Sequence, residues 1–198
     1  MVEIKAIMEK SWVRSKVSLG EIFEAAQSVA HRSPFHPVRD YLDSLVWDGI
    51  ERIPSFLDDF LGCPHDDYHV YTALSLFISA VARIYKPGCK VDTMVILESE
   101  QGMGKTKLWL TLFGDWCHEV TSSLSDKDFY AGLRGVWAAD FAELDAFSKT
   151  EVTQVKRILT SQSDLYRPHY GRTHQTFKRQ NVFVGGTNRD DWSTDPTG

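Results

Sequence analysis

The sequence predicts an α/β fold, in which a mostly parallel sheet is covered on its faces by helices and preceded by a small all-helical domain. Three observations carry that prediction. Apolar residues recur at helical spacing over roughly the first 85 positions. From Val91 onward, short apolar runs alternate with helical stretches, the pattern of strand–helix–strand units. One junction between such a run and a helix is a glycine-containing loop that ends in Lys105-Thr106.

The helical part comes first. Ile22, Phe23, Ala26, Val29 and Ala30 share one face, and Val38, Tyr41, Leu42, Leu45 and Val46 repeat the spacing. Ile53, Phe56, Leu57, Phe60 and Leu61 form a third stretch. Pro37 and Pro54 stand near the starts of the last two, where a missing N–H costs little. A longer helix runs from Asp67 to Ile84. It holds the longest apolar run, Ala73 to Ala82, which is too short to cross a bilayer and reads as a buried helix. The breakers Lys86-Pro-Gly-Cys-Lys90 close this part, so the predicted organisation is a helical domain over 1–88 and a sheet domain over 89–198.

The strands follow. Met94–Leu97 is the first run, followed by a helix over Lys105–Phe113 that Gly114 ends. Val136–Phe141 is the second run, Glu151–Leu159 the next helix and Val182–Val184 the third run. A chain of 198 residues with 42% hydrophobic and 25% charged residues suits one substantial soluble domain with an appendage. Its 22 Lys+Arg against 27 Asp+Glu leave a net charge of -5, so nucleic-acid binding would need a local basic patch. Cys63, Cys89 and Cys117 show neither a CxxC pair nor zinc-ligand spacing, and read as reduced thiols. The N-terminus has no apolar core of signal-peptide length. A cytoplasmic protein without a membrane partner is expected. His65 and His69 have a metal-friendly spacing but no defined third ligand, and are set aside.

The loop Ser99-Glu-Gln-Gly-Met-Gly-Lys-Thr106 matches the phosphate-binding pattern G-x-x-x-x-G-K-[ST], except that Ser99 takes the place of the first glycine. It follows an apolar run and precedes a helix, as that pattern requires. Such a loop makes the sheet domain a P-loop NTPase core in three layers. Gly102 and Gly104 let backbone N–H groups turn toward phosphates, with Ser99, Gln101 and Met103 completing the loop. Lys105 is expected to reach the β- and γ-phosphates of ATP, and Thr106 to ligate Mg²⁺.

Acids are expected at the end of a neighbouring strand to hold Mg²⁺ or polarise water. Val136-Trp-Ala-Ala-Asp-Phe-Ala-Glu-Leu-Asp145 supplies Asp140, Glu143 and Asp145, with Glu143 the first choice and helix capping the alternative. The third run leads into Gly185-Gly-Thr-Asn188. There Asn188 is suited to sensing a γ-phosphate, although Thr-Asn by itself is more often a turn.

With these residues placed, the chain resembles the virulence-associated protein E family of phage and mobile-element replication proteins. The resemblance covers about residues 34–198. It rests on Phe35-His-Pro-Val-Arg-Asp-Tyr-Leu42, Trp47-Asp-Gly49, Val81-Ala-Arg83, Pro87-Gly-Cys-Lys90, Gln101-Gly-Met-Gly-Lys-Thr106, Ala142-Glu-Leu-Asp145, Tyr166-Arg-Pro-His-Tyr-Gly-Arg172, Thr187-Asn188 and Asp195-Pro-Thr-Gly198. It implies an ATPase similar to superfamily 3 helicases, acting on DNA as a homo-oligomer such as a hexameric ring, with a primase domain or primase partner. It also implies an Arg-Arg segment after Asp-Pro-Thr-Gly, a source of an arginine finger. The sequence stops at Gly198, so the core is read as truncated there and weak hydrolysis is expected. A rival reading is a nucleotide-gated module that recruits other proteins without motor activity.

The segment 165–179 is the most basic stretch of an acidic chain. Arg167, Arg172, Lys178 and Arg179 alternate with Tyr166, Tyr170 and Phe177, a mixture that suits single-stranded DNA. One alternative is a β-hairpin with core aromatics and solvated arginines. Another is an arginine reaching nucleotide across a subunit boundary. Lys156, on the preceding helix, could serve either DNA or that interface.

Overall fold

The computed structural model describes residues 18–168 and 173–188. Met1–Ser44 and Leu45–Gly198 form separate compact units. In the first, α1 spans Leu19–Arg32 and α2 spans Pro37–Ser44. A reciprocal capping box starts α1, where Glu21 N donates to Ser18 Oγ at 3.2 Å and Ser18 N to Glu21 Oε2 at 2.9 Å. Pro37 opens α2, a position where its lost donor has no intrahelical partner to forfeit.

The second unit begins with α3 (Phe56–Leu61) and α4 (Asp67–Tyr85). Phe56, Leu57 and Ala73 form an apolar cluster against which Leu108 and Leu112 pack. The change from helical to alternating sequence near residue 88 is real. The helices of 56–85 nevertheless group with the sheet, because their buried side chains meet residues of the helix after the first strand.

The sheet elements are β1 (Val95–Glu98), β2 (Cys117–Glu119), β3 (Ala138–Phe141) and β6 (Val182–Thr187). They lie in the order β1-β6-β3-β2, with every neighbouring pair parallel. Between them come α5 (Lys105–Phe113), α6 (Lys127–Gly132) and α7 (Lys149–Thr160). Short 3₁₀ turns cover Gly114–Trp116 and Leu144–Ala146. An antiparallel hairpin, β4 (Ser163–Tyr166) with β5 (Gln175–Lys178), leads into β6.

Helices cover both faces of the sheet. On one, Phe129 of α6 and Val155 and Ile158 of α7 join Ala139, Phe141 and Phe183. On the other, Trp109 of α5 is fully buried and its Nε1 donates to Gly185 O at 3.4 Å. Trp137 Nε1 donates to Ala80 O of α4 at 2.9 Å, and its ring meets Phe113 edge-on. Parallel strands buried on both faces explain why β3 and β6 are buried throughout. Among the described residues no helix is long and apolar enough to cross a membrane.

Candidate functional site

The strand order brings three segments to one edge. β1 and β3 are separated in sequence by two helices and a strand, yet both flank β6. Their carboxyl ends therefore line up: the loop 99–104 after β1, Ala142 and Glu143 after β3, and Thr187-Asn188 at the end of β6. In open α/β sheets, ligands bind outside the carboxyl ends of the strands.

Lys105 ties this edge together. Its Nζ donates to Ser99 O at 2.8 Å, Ser99 Oγ at 3.2 Å, Glu100 O at 3.2 Å and Asn188 Oδ1 at 3.0 Å. Ser99 N reaches Thr187 O at 3.4 Å, fastening the loop to β6. The lysine stem passes Gly186, where an added Cβ would lie 3.4 Å from Lys105 Cε and 3.3 Å from Ala142 O. A glycine there lets the stem cross the strand end.

Gly102 and Gly104 both have φ of 86°, a conformation that side-chain-bearing residues rarely adopt. Gly104 is the N-cap of α5 and offers no side-chain acceptor, and the first turn carries no acid. By contrast, α1, α4, α6 and α7 are capped by the side chains of Ser18, Asp66, Asp126 and Ser148. The first N–H groups of α5 are thus left for something other than a side-chain cap. Gln101, Met103 and Thr106 are exposed around the loop.

The acids are placed unequally. Glu143 is exposed just beyond β3. Asp140 lies inside β3, opposite Val184 of β6 and Glu119 of β2. It is 2% exposed and both its carboxylate oxygens lack a partner. Burial, reinforced by the nearby Glu119 charge, pushes its pKa up from 3.8 to about 6. No spacing in the sequence points to Glu119, which arrives only through strand register. Among the described residues no three His, Cys, Asp or Glu side chains are gathered as for a metal ion.

The basic segment is divided. Arg167 and Lys178 are exposed, and Lys156 is half-buried on α7. Arg172 lies outside the described residues. Arg179, expected in a surface cluster, is corrected to an internal residue, being 2% exposed. Its Nε donates to Asp164 Oδ2 at 3.1 Å, and its other nitrogens to Asp164 Oδ1 and Ile158 O. A guanidinium paired with a buried carboxylate is satisfied inside and does not face a solvent-borne ligand. Tyr166 and Phe177 follow the hairpin alternative, Tyr166 buried and Phe177 half-buried beneath Arg134, whose guanidinium lies 4.0 Å from the ring centre, while Tyr170 lies outside the described residues.

No curated protein matches the chain. A family model described as the virulence-associated protein E-like domain matches residues 42–198, a span that holds α3, α4, every strand and the whole carboxyl edge. The chain belongs to the virulence-associated protein E-like family.

Proposed function

We infer that the carboxyl edge binds Mg²⁺-ATP, with 99–106 as a phosphate-binding loop, and that the chain is the ATPase module of a helicase-type DNA replication protein. The observation that carries this is the convergence on Lys105. One cation gathers the loop after β1, the start of α5 and Asn188 after β6.

The residues present suit a phosphate chain. The helix start has no side-chain cap and no acid, and two left-handed glycines leave backbone N–H groups free to turn inward. Bound phosphates would exchange for the acceptors that Lys105 now uses, so the ammonium is already positioned and need only change partners. Thr106, exposed in the first turn, is the hydroxyl that would hold Mg²⁺, with Glu143 at the strand end as its acidic counterpart. The metal would supply neutralisation of charge on the phosphate oxygens. Glu143 would orient the attacking water, and Asn188, already bonded to Lys105, would report the γ-phosphate to β6. Asp140 is the weaker of the two acids for this role, because it sits deeper in the strand and is 2% exposed.

Thermal denaturation with and without Mg²⁺-ATP, on the wild type and Lys105→Ala, tests the reading. A ligand at 100 times its Kd stabilises by about 2.7 kcal/mol, and that gain should vanish in the variant. Equal stabilisation of both proteins overturns it. Binding without DNA-stimulated turnover would instead identify the nucleotide-gated recruitment module.

A further inference from the structure

Arg83, near the carboxyl end of α4, is a buried cation without a counterion of its own. It is 1% exposed, and of its guanidinium nitrogens only Nη2 has a partner, the carbonyl of Val91 at 3.3 Å. Nε and Nη1 are shielded from solvent and meet no acceptor among the described residues. A guanidinium keeps its charge at any ordinary pH, so the cost of burying it is not relieved by losing a proton. A buried charge is costly unless it is paired. Burial, and after it the charge of Arg179, pull the pKa of Arg83 down, the mark of surroundings hostile to a lone cation.

The carboxylates that act on Arg83 are already engaged. These are Asp164 and Asp92. Arg179 grips both oxygens of Asp164, and Lys90 Nζ holds Asp92 at 2.9 Å. Arg83, Arg179 and Lys90 therefore stand against Asp164 and Asp92, a surplus of one positive charge. Cys89, which also acts on Arg83, is a thiol and carries no fixed charge. The segment 86–92 closes over this region. Gly88 N donates to Arg179 O at 2.8 Å, and an added Cβ on Gly88 would lie 3.2 Å from Gln162 O. The loop after α4 is thus fastened to the base of the β4–β5 hairpin, at the amino end of β6 and opposite the carboxyl edge that holds Lys105. Asn181, the residue before β6, adds another buried donor, Nδ2, that has no acceptor. The orphaned groups at this end of the sheet are all donors. Water would satisfy their N–H groups but not the charge.

We propose that Arg83 Nε and Nη1 hold a small monovalent anion of the chloride class, enclosed between α4, residues 86–92 and the base of the hairpin. One negative charge cancels the surplus, whereas a sulfate or phosphate dianion would reverse it. Size argues the same way, because both nitrogens are shut off from solvent. The ion completes the pairing of a cation that the chain itself leaves unmatched, and so ties the end of α4 to the loop that follows it. Its role is to stabilise the fold by binding the native state alone. None of this rests on the nucleotide reading.

Thermal denaturation of the full chain, purified in sodium gluconate and titrated with sodium chloride at constant ionic strength, tests it. The Tm of the wild type should rise along a saturable curve, by about 3–6 °C at chloride ten times its Kd. Bromide should replace chloride in this assay. Arg83→Met removes the charge and keeps an apolar chain in its place, and its Tm should be the same in both salts. Crystals grown in bromide should give an anomalous peak within hydrogen-bonding reach of Arg83 Nε and Nη1. That peak and the wild-type titration decide the matter even where Arg83→Met does not fold. A wild-type Tm indifferent to chloride, a crystal with no bromide at Arg83, or a chloride response that survives in Arg83→Met overturns the proposal.

Discussion

Lys105 Nζ donates to Asn188 Oδ1 at 3.0 Å, joining the first turn of α5 to the end of the last strand across 83 residues of sequence. The same ammonium holds the carbonyls of Ser99 and Glu100. The cation is therefore kept in place by the loop it belongs to. The two partners should separate under mutation. Lys105→Ala is expected to lose at least roughly tenfold in ATP affinity, since a charge-assisted bond contributes about 1.5–3 kcal/mol. Asn188→Ala should bind ATP within a few-fold of wild type but lose most turnover. Isothermal titration beside a phosphate-release assay checks both. Equal losses in binding for the two variants would remove the distinction between holding and sensing.

Gly185 and Gly186 are neighbours on β6 with opposite expected consequences. An alanine Cβ at 185 would meet Leu144 Cδ1 at 2.9 Å and Phe141 O at 3.1 Å, in the packed core. Overpacking of that kind costs about 1–3 kcal/mol. At 186 an added Cβ would lie 3.3 Å from the backbone Ala142 O, looser than either close contact at 185, and 3.4 and 3.5 Å from Cε and Cδ of Lys105, whose flexible stem can give way. Gly185→Ala should lower the urea midpoint with ATP affinity retained in the folded fraction. Gly186→Ala should keep most stability and weaken ATP binding by displacing the lysine.

Asp140 gives the fold a pH dependence of known sign. Its folded pKa of about 6 lies above the ordinary 3.8, so the native state retains a proton that the unfolded chain releases. Its contribution is fully favourable below pH 3.8 and is lost as pH rises toward 6, by up to about 3 kcal/mol. Asp140→Asn removes the titration. Chemical denaturation of both proteins at pH 4 and pH 7.5 should show the variant gaining relative to wild type at the higher pH. A difference that does not change with pH would mean that Asp140 ionises normally.

Much of this was legible in the sequence, and the failures have physical causes. The limits of α5 follow from Gly104 and Gly114, and its observed span is the one the pattern predicts. β2 escaped notice because Cys117-His-Glu119 is short and polar, with only its first residue buried. The run Val182–Val184 extends through Gly185-Gly-Thr187, since parallel pairing with β1 needs backbone and not side chains. Register was invisible too, and with it the Glu119–Asp140 approach. Arg179 was misplaced for the same reason. Its carboxylate partner is fifteen residues upstream on the other strand of a hairpin, and no local rule connects them.

That correction sharpens the test of DNA binding. Arg167 and Lys178 remain exposed at the hairpin, while Arg179 is internal. If the exposed pair contacts the backbone of single-stranded DNA, each lost phosphate contact should reduce the magnitude of the salt slope by roughly 0.7. The double variant Arg167→Ala/Lys178→Ala should therefore bind less tightly and with a slope smaller by about 1.4. The loss should be alike for all sequences, because phosphates carry no base information. ATP binding and Tm should stay near wild type. Arg179→Ala should behave differently, costing about 3–5 kcal/mol of stability by stranding the buried Asp164. Fluorescence anisotropy across a salt series, with denaturation run on the same samples, separates the two effects. An unchanged slope in the double variant would take the hairpin out of any DNA interface and leave Arg167 for a subunit boundary.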